Sequence, residues 1–156
     1  MSTDTTLGID PGTRFIGIAV MRSGVLVHSQ IRAFQGPWSL KKLKDIVHWL
    51  DATMTRYGVK KVAIKIPDVF PLSPGYNQLI GSLNVFLSRK SITPSYYTLS
   101  EIKAKVCKEK IETTDELMQI IVLKHPELWL EYKKEKLNEN PHYNKLFAAV
   151  AVAHLR

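Results

Sequence analysis

Apolar and polar residues alternate along the first part of the chain in the manner of β-strands. The alternation predicts three strands, at roughly residues 5–10, 14–21 and 25–34. In the first strand, Leu7 and Ile9 point to one face, and Gly8 and Asp10 point to the other. The chain therefore opens with an antiparallel sheet, and a carboxylate ends its first strand on the face away from these apolar neighbours.

Helical spacing replaces this alternation after residue 37. Apolar residues recur every three or four positions from Leu40 to Met54, with charged residues between them, and Gly58 follows as a stop signal. The segment 62–66 then resembles a buried strand, and its only charged residue is Lys65. A strand has thus returned after one amphipathic helix, as expected when a helix covers a sheet.

The second half of the chain is dominated by helices. The predicted elements are a helix with its apolar face at 79–87, a strand near 96–99, a short helix from about Ser100, a helix opened by a capping box at Thr113 and Glu116, a partly helical segment at 126–140, and a last helix opened by Asn140 and Pro141. The complete order predicts one α/β domain over residues 1–156, with a five-stranded mixed sheet flanked by helices.

Composition narrows the class of partner. The 156 residues include 22 Lys and Arg against 14 Asp and Glu, so the net charge is +8 and the pI is near 9.6. A polyanion is the expected partner, and nucleic acid is the natural candidate, although many basic proteins bind no particular anion. With 45% hydrophobic residues, the chain is long enough for one compact core.

Cysteine usage and hydropathy indicate the compartment. Cys107 is the only cysteine, which excludes an intrachain disulfide and a cysteine-based zinc site. No apolar run approaches 18 residues, and the N-terminus lacks the pattern of an export signal. We therefore expect a cytoplasmic protein with no membrane partner.

The turn after the first strand has the clearest chemical signal. On spacing alone, Asp10-Pro11-Gly12 is equally well an ordinary hairpin turn. The longer string from Gly8 to Val20 resembles the first motif of the RuvC-like branch of the ribonuclease H-like superfamily, in which the Asp holds catalytic Mg²⁺. Similar strings open the YqgF-type members of that branch. They also occur, more loosely, in two-lobed actin-like kinases, for which this chain is too short.

The resemblance implies a ribonuclease H-like fold and three further acids, which this chain lacks. The position that matches the family's central-strand Glu is Lys65, and the two acid positions of the last helix fall on Lys145 and Ala148. No Asp or Glu follows Glu139, so a small shift of the alignment restores neither acid. The nuclease site is therefore expected to be incomplete, with Asp10 retained as its only acid.

Lys65 is predicted to act as a counter-ion to Asp10. An ammonium on the neighbouring strand would pair with the carboxylate and repel Mg²⁺. Alternatively, Lys65 extends to solvent at the end of its strand and touches nothing. Relocated acids are a further possibility, with Asp68 and Glu101 as candidates, although acids are also common in loops and at helix starts.

A basic cluster marks the predicted nucleic-acid interface. The segment from Leu99 to Val106 resembles the family segment that carries a DNA-contacting lysine, here Lys103. The residues predicted to bind nucleic acid are Arg14, Lys103, Lys105, Lys108 and Lys110. A solvated helix face is the alternative interpretation of the lysines.

Three functional hypotheses follow from the resemblance. The first is a Holliday-junction-resolvase homologue that binds branched DNA in recombination or repair, as a homodimer, without a working nuclease site or a cofactor. The second is an active crossover junction endodeoxyribonuclease that uses Mg²⁺ and relocated acids. The third is a YqgF-like RNA-processing nuclease, which the same missing acids disfavour.

Overall fold

The computed structural model describes residues 4–69, 72–106, 110–137 and 143–155. The strands are β1 (Thr5–Asp10), β2 (Phe15–Arg22), β3 (Val25–Ala33), β4 (Val59–Ile66) and β5 (Ser95–Thr98). The α-helices are α1 (Leu40–Tyr57), α2 (Pro74–Arg89), α3 (Leu99–Val106), α4 (Thr114–Lys124), α5 (Trp129–Lys136) and α6 (Tyr143–Leu155), with a 3₁₀ turn at Pro126–Leu128. The predicted α/β class is confirmed. Cys107, Lys108 and the predicted helix start at Asn140 and Pro141 lie outside the described residues.

The sheet is mixed, as predicted. Its strand order is β3-β2-β1-β4-β5, in which β1, β2 and β3 pair antiparallel and β4 and β5 add in parallel. All six residues of the central strand β1 are buried. In the register of the sheet, Asp10 lies opposite Gly17, and Ile9 lies beside Ile64 of β4. Asp10 therefore ends the central strand in the middle of the sheet. Lys65 follows Ile64 on the neighbouring strand, just as Asp10 follows Ile9.

Two apolar layers cover the two faces of the sheet. Leu7 and Ile9 pack with Ile46 of α1 and Leu83 of α2. The opposite face is covered by α3, α4, α5 and α6, with Phe147 among its fully buried side chains. Alternation along β1 consequently directs Asp10 toward the α6 side, away from the larger apolar side chains of its own strand.

Local signals mark the helix ends at the predicted residues. Gly58 closes α1 in the left-handed conformation, at φ 63°, which glycine adopts without steric cost. The Thr113 side chain accepts a hydrogen bond from the Glu116 backbone N–H at the start of α4, as the capping box requires. Among the described residues, none of the helices is long and apolar enough to cross a membrane.

Candidate functional site

Helix α6 lies directly on the sheet because two strand positions have no side chain. A Cβ atom added at Gly8 would collide with the Ala149 carbonyl oxygen, and one added at Gly17 would collide with the carbonyl oxygen of Lys145. The small alanine side chains of α6 likewise allow the helix backbone to approach the sheet closely. This contact places Lys145, in the first turn of α6, over the end of β1.

Two ammonium groups face the Asp10 carboxylate. Lys145 Nζ lies 3.5 Å from Asp10 Oδ1 and also donates a hydrogen bond to the Pro11 carbonyl oxygen, at 3.4 Å. Lys65 Nζ lies 4.0 Å from the other carboxylate oxygen, Oδ2. The counter-ion predicted at Lys65 is thus present, and Lys145 adds a second one that the sequence interpretation did not anticipate.

Burial dominates the electrostatics of the carboxyl group. The Asp10 side chain is 6% exposed, whereas those of Lys65 and Lys145 are 24% and 26% exposed. Burial raises the pKa of Asp10 above its ordinary 3.8, and the charges of Lys145 and Lys65 oppose that rise. Two ammonium groups and one carboxylate give the group a formal net charge of +1.

The three charged groups share a small cavity of about 130 Å³. Its lining consists of Asp10, Lys65, Leu99, Thr114, Leu117, Met118, Asn144, Lys145, Phe147 and Ala148. Of these described residues, only Asp10 carries a carboxylate, and Ala148 contributes a methyl group at the second acid position of the last helix. In the described part of the chain, no group of three or more His, Cys, Asp or Glu side chains could hold a metal ion.

The two candidate relocated acids lie elsewhere. Asp68 is exposed in the loop after β4 and does not line the cavity. Glu101 caps α3: its carboxylate accepts hydrogen bonds from the Thr98 backbone N–H and Oγ1, at 3.3 and 3.1 Å, while its own N–H donates to Thr98 Oγ1. The helix-capping interpretation of Glu101 therefore accounts for its position.

The predicted basic residues are spread over the neighbouring surface. Arg14 is exposed in the turn after β1, and Lys105 is exposed on α3. Lys103 donates to the Glu112 carbonyl oxygen at 3.3 Å, and Lys110 forms an exposed ion pair with the Glu112 carboxylate at 3.3 Å. Because Leu99 both begins α3 and lines the cavity, the basic helix starts at the cavity wall.

Tyr76 is a neighbour of the site that sequence reasoning missed. It lies in the first turn of α2, where Ser73 caps the helix. Burial raises the pKa of the Tyr76 hydroxyl above 10.0, and the negative charge of Asp10 raises it further. No local signal pointed to Tyr76, since its proximity to Asp10 depends on how α2 packs against the sheet.

Comparison with known proteins agrees with this architecture. The family model of the crossover junction endodeoxyribonuclease RuvC matches residues 6–154. The structure resembles Thermus thermophilus RuvC in complex with a Holliday junction substrate, with a TM-score of 0.73 at 16% sequence identity, over 96% of this chain and 90% of that one. A second Thermus thermophilus RuvC structure gives a TM-score of 0.70 at 18% identity, with the same coverage.

At these identities the structural likeness establishes the fold, which is ribonuclease H-like. Comparison with curated proteins yields no significant match. The family model, by contrast, spans nearly the whole chain, including β1 with Asp10, β4 with Lys65 and α6 with Lys145. The chain therefore belongs to the RuvC family.

Proposed function

We propose that this chain binds branched DNA, such as a four-way junction, and does not cleave it. Membership of the RuvC family supports a nucleic-acid role, and a family member of the same fold is known in complex with a Holliday junction. The net charge of +8 suits a phosphate-rich partner. On this proposal, the protein acts as a binding module in recombination or repair.

The observation that carries the proposal is the pair of ammonium groups at Asp10. Two-metal phosphodiester hydrolysis needs several oxygen ligands around ions about 4 Å apart. Asp10 supplies one carboxylate, and Lys65 Nζ and Lys145 Nζ already lie 4.0 and 3.5 Å from its oxygens. An ion pair at that separation is worth about 4 kcal/mol at an effective dielectric constant of 20, before desolvation. These residues therefore do not fit a Mg²⁺ centre.

The proposed DNA contacts are the basic residues of the turn after β1, of α3 and of the segment that follows α3 in sequence. Arg14, Lys103 and Lys105, together with Lys108 and Lys110, are proposed to contact phosphates. We further propose a homodimer, because two identical subunits present two equivalent surfaces to a junction with twofold symmetry. Sedimentation of the free protein tests the dimer directly, and a monomer at micromolar concentration would contradict it.

The test of the proposal is an end-labelled four-way DNA junction incubated with Mg²⁺ or Mn²⁺. We expect a shifted band on a native gel and intact strands on a denaturing gel, for the wild type and for Asp10→Asn alike. Linear duplex of the same sequence serves as the control for branch preference. Cuts that disappear in Asp10→Asn would establish an active endonuclease and overturn the proposal. Tighter binding of the corresponding RNA would favour a YqgF-like role instead.

A further inference from the structure

Lys65 has hydrogen-bonding capacity that the folded chain does not use. Within the described ranges, its ammonium group makes the 4.0 Å ion contact with Asp10 and no hydrogen bond. An ammonium group has three N–H donors, and the Lys65 side chain that carries this one is 24% exposed. Lys145 uses its donors on Asp10 and on the Pro11 carbonyl oxygen. The donors of Lys65 are consequently available to a ligand in the cavity.

The cavity favours an anion. One carboxylate neutralises only one of the two ammonium groups, and the cavity lining also includes the apolar side chains of Leu117, Met118 and Phe147. Apolar walls screen charge poorly, so the remaining positive charge acts strongly on a ligand inside. Thr114 and Asn144 add a hydroxyl and an amide to the lining.

The size of the cavity suits a single phosphate group. Its volume of about 130 Å³ leaves room for a group larger than a single water molecule, which needs only about 10–15 Å³ of such space. Leu99 lines the cavity and begins α3, the helix that carries Lys103 and Lys105. A DNA strand held by the lysines of α3 would therefore run close to the cavity.

We infer that this cavity is a metal-independent binding site for one backbone phosphate of the bound DNA. The inference rests on the proposed function and adds a contact at its centre. Lys65 donates to the phosphate oxygens, and Lys145 contributes its charge while it remains bonded to Asp10. Asp10 acts as the internal counter-ion that holds both ammonium groups in place when no DNA is bound. The competing account is that these three residues form a buried ion pair that binds no ligand. The two accounts predict different effects on DNA affinity when the charge of one phosphate is removed.

Neutralising single phosphates distinguishes the two accounts. Four-way junctions are prepared with a methylphosphonate at one position at a time around the crossover, and their affinity is measured in EDTA. We expect one position at which the wild type loses affinity by about tenfold, which is the scale of one charge-assisted contact. Lys65→Gln should bind the unmodified junction with an affinity lower by a similar factor. Its affinity should not fall further when the methylphosphonate is placed at that position.

Two variants serve as controls. Lys61→Gln removes the same charge from the other end of β4, where Lys61 Nζ lies 3.8 Å from Asp4 Oδ2, and it should keep the full methylphosphonate effect. Lys65→Arg retains the charge and should keep most of that effect too, which excludes misfolding as the cause of the loss. If every methylphosphonate weakens Lys65→Gln as much as the wild type, the inference is wrong and junction binding still stands. If the wild type binds no junction at all, the proposed function itself is wrong.

Discussion

Gly17 and Gly8 decide how closely α6 approaches the sheet, and therefore where Lys145 lies. A Cβ at Gly17 would meet the backbone of Lys145, which cannot move without displacing the helix. We expect Gly17→Ala to lower the free energy of unfolding by about 1–3 kcal/mol, as overpacking of a close contact does. Urea denaturation measures this change.

Gly81 provides the matched control for that substitution. It lies inside α2, and in the described part of the chain a Cβ added there would meet no atom within 4 Å beyond its own stretch of helix. Gly81→Ala should raise the free energy of unfolding by up to about 1 kcal/mol, because alanine is the better helix former. If both alanine variants changed the stability in the same direction, the close approach of α6 would not be what requires glycine at Gly17.

The sequence could predict one of the two counter-ions of Asp10. Lys65 lies near the end of an apolar strand, and the family resemblance matched it to an acid position beside Asp10, where parallel strands next to each other end at the same edge of a sheet. Lys145 was placed at a lost acid position, but its contact with Asp10 depends on the register of α6 over the sheet. That register is set by Gly8 and Gly17, which in sequence look like ordinary strand glycines.

At the scale of whole elements, a histidine pair joins the end of α4, where His125 is buried, to the last turn of α6, where His154 is partly buried. His125 Nε2 and His154 Nε2 are 2.7 Å apart, and the two rings are tilted against each other. Burial lowers the pKa of both rings, that of His154 to about 4, and the charge of Lys124 contributes. Glu127 opposes the shift at His125. One ring must donate and the other accept, so this contact cannot be made when both histidines are protonated.

The histidine pair predicts a loss of stability in mild acid. The unfolded rings bind protons near pH 6.5 and the folded rings only at lower pH, so unfolding takes up protons between these values. The stabilisation is therefore complete above about pH 6.5 and declines as the pH falls toward 4. Urea midpoints measured from pH 7.5 to 4.5 should fall steeply in the wild type and less steeply in His154→Leu. The exposed His48 is the control, and a His48→Gln variant with the same flattened profile would contradict this assignment.

The ends of helices were predictable from the sequence wherever a capping or stop residue marked them. The helix stop at Gly58 and the cap at Thr113 were both located correctly, since each residue satisfies backbone groups in its own turn. By contrast, β4 begins at Val59, three residues before its predicted start. Lys60 and Lys61 interrupt the apolar run, yet their backbone still belongs to the strand that pairs with β1, across an irregularity in register between Thr5 and Thr6.

At the scale of the whole molecule, positive charge is present on both sides of the sheet, and composition alone does not tell which side meets a polyanion. The exposed Lys44 lies on α1, which packs on the face opposite Asp10. The exposed Lys105 lies on α3, which begins at the wall of the Asp10 cavity. The geometry of the folded chain places these two lysines on opposite faces of the sheet.

The salt dependence of junction binding tests that separation. Each phosphate contact releases condensed counter-ions, so the slope of log Kobs against log salt becomes less steep by about 1 when one contact is lost. We expect Lys105→Gln to change the slope by about that amount at every branch sequence tested. Lys44→Gln removes the same charge from the opposite face and should leave the slope unchanged. Equal changes in the two variants would mean that DNA responds to the net charge of +8 and not to a surface formed by α3.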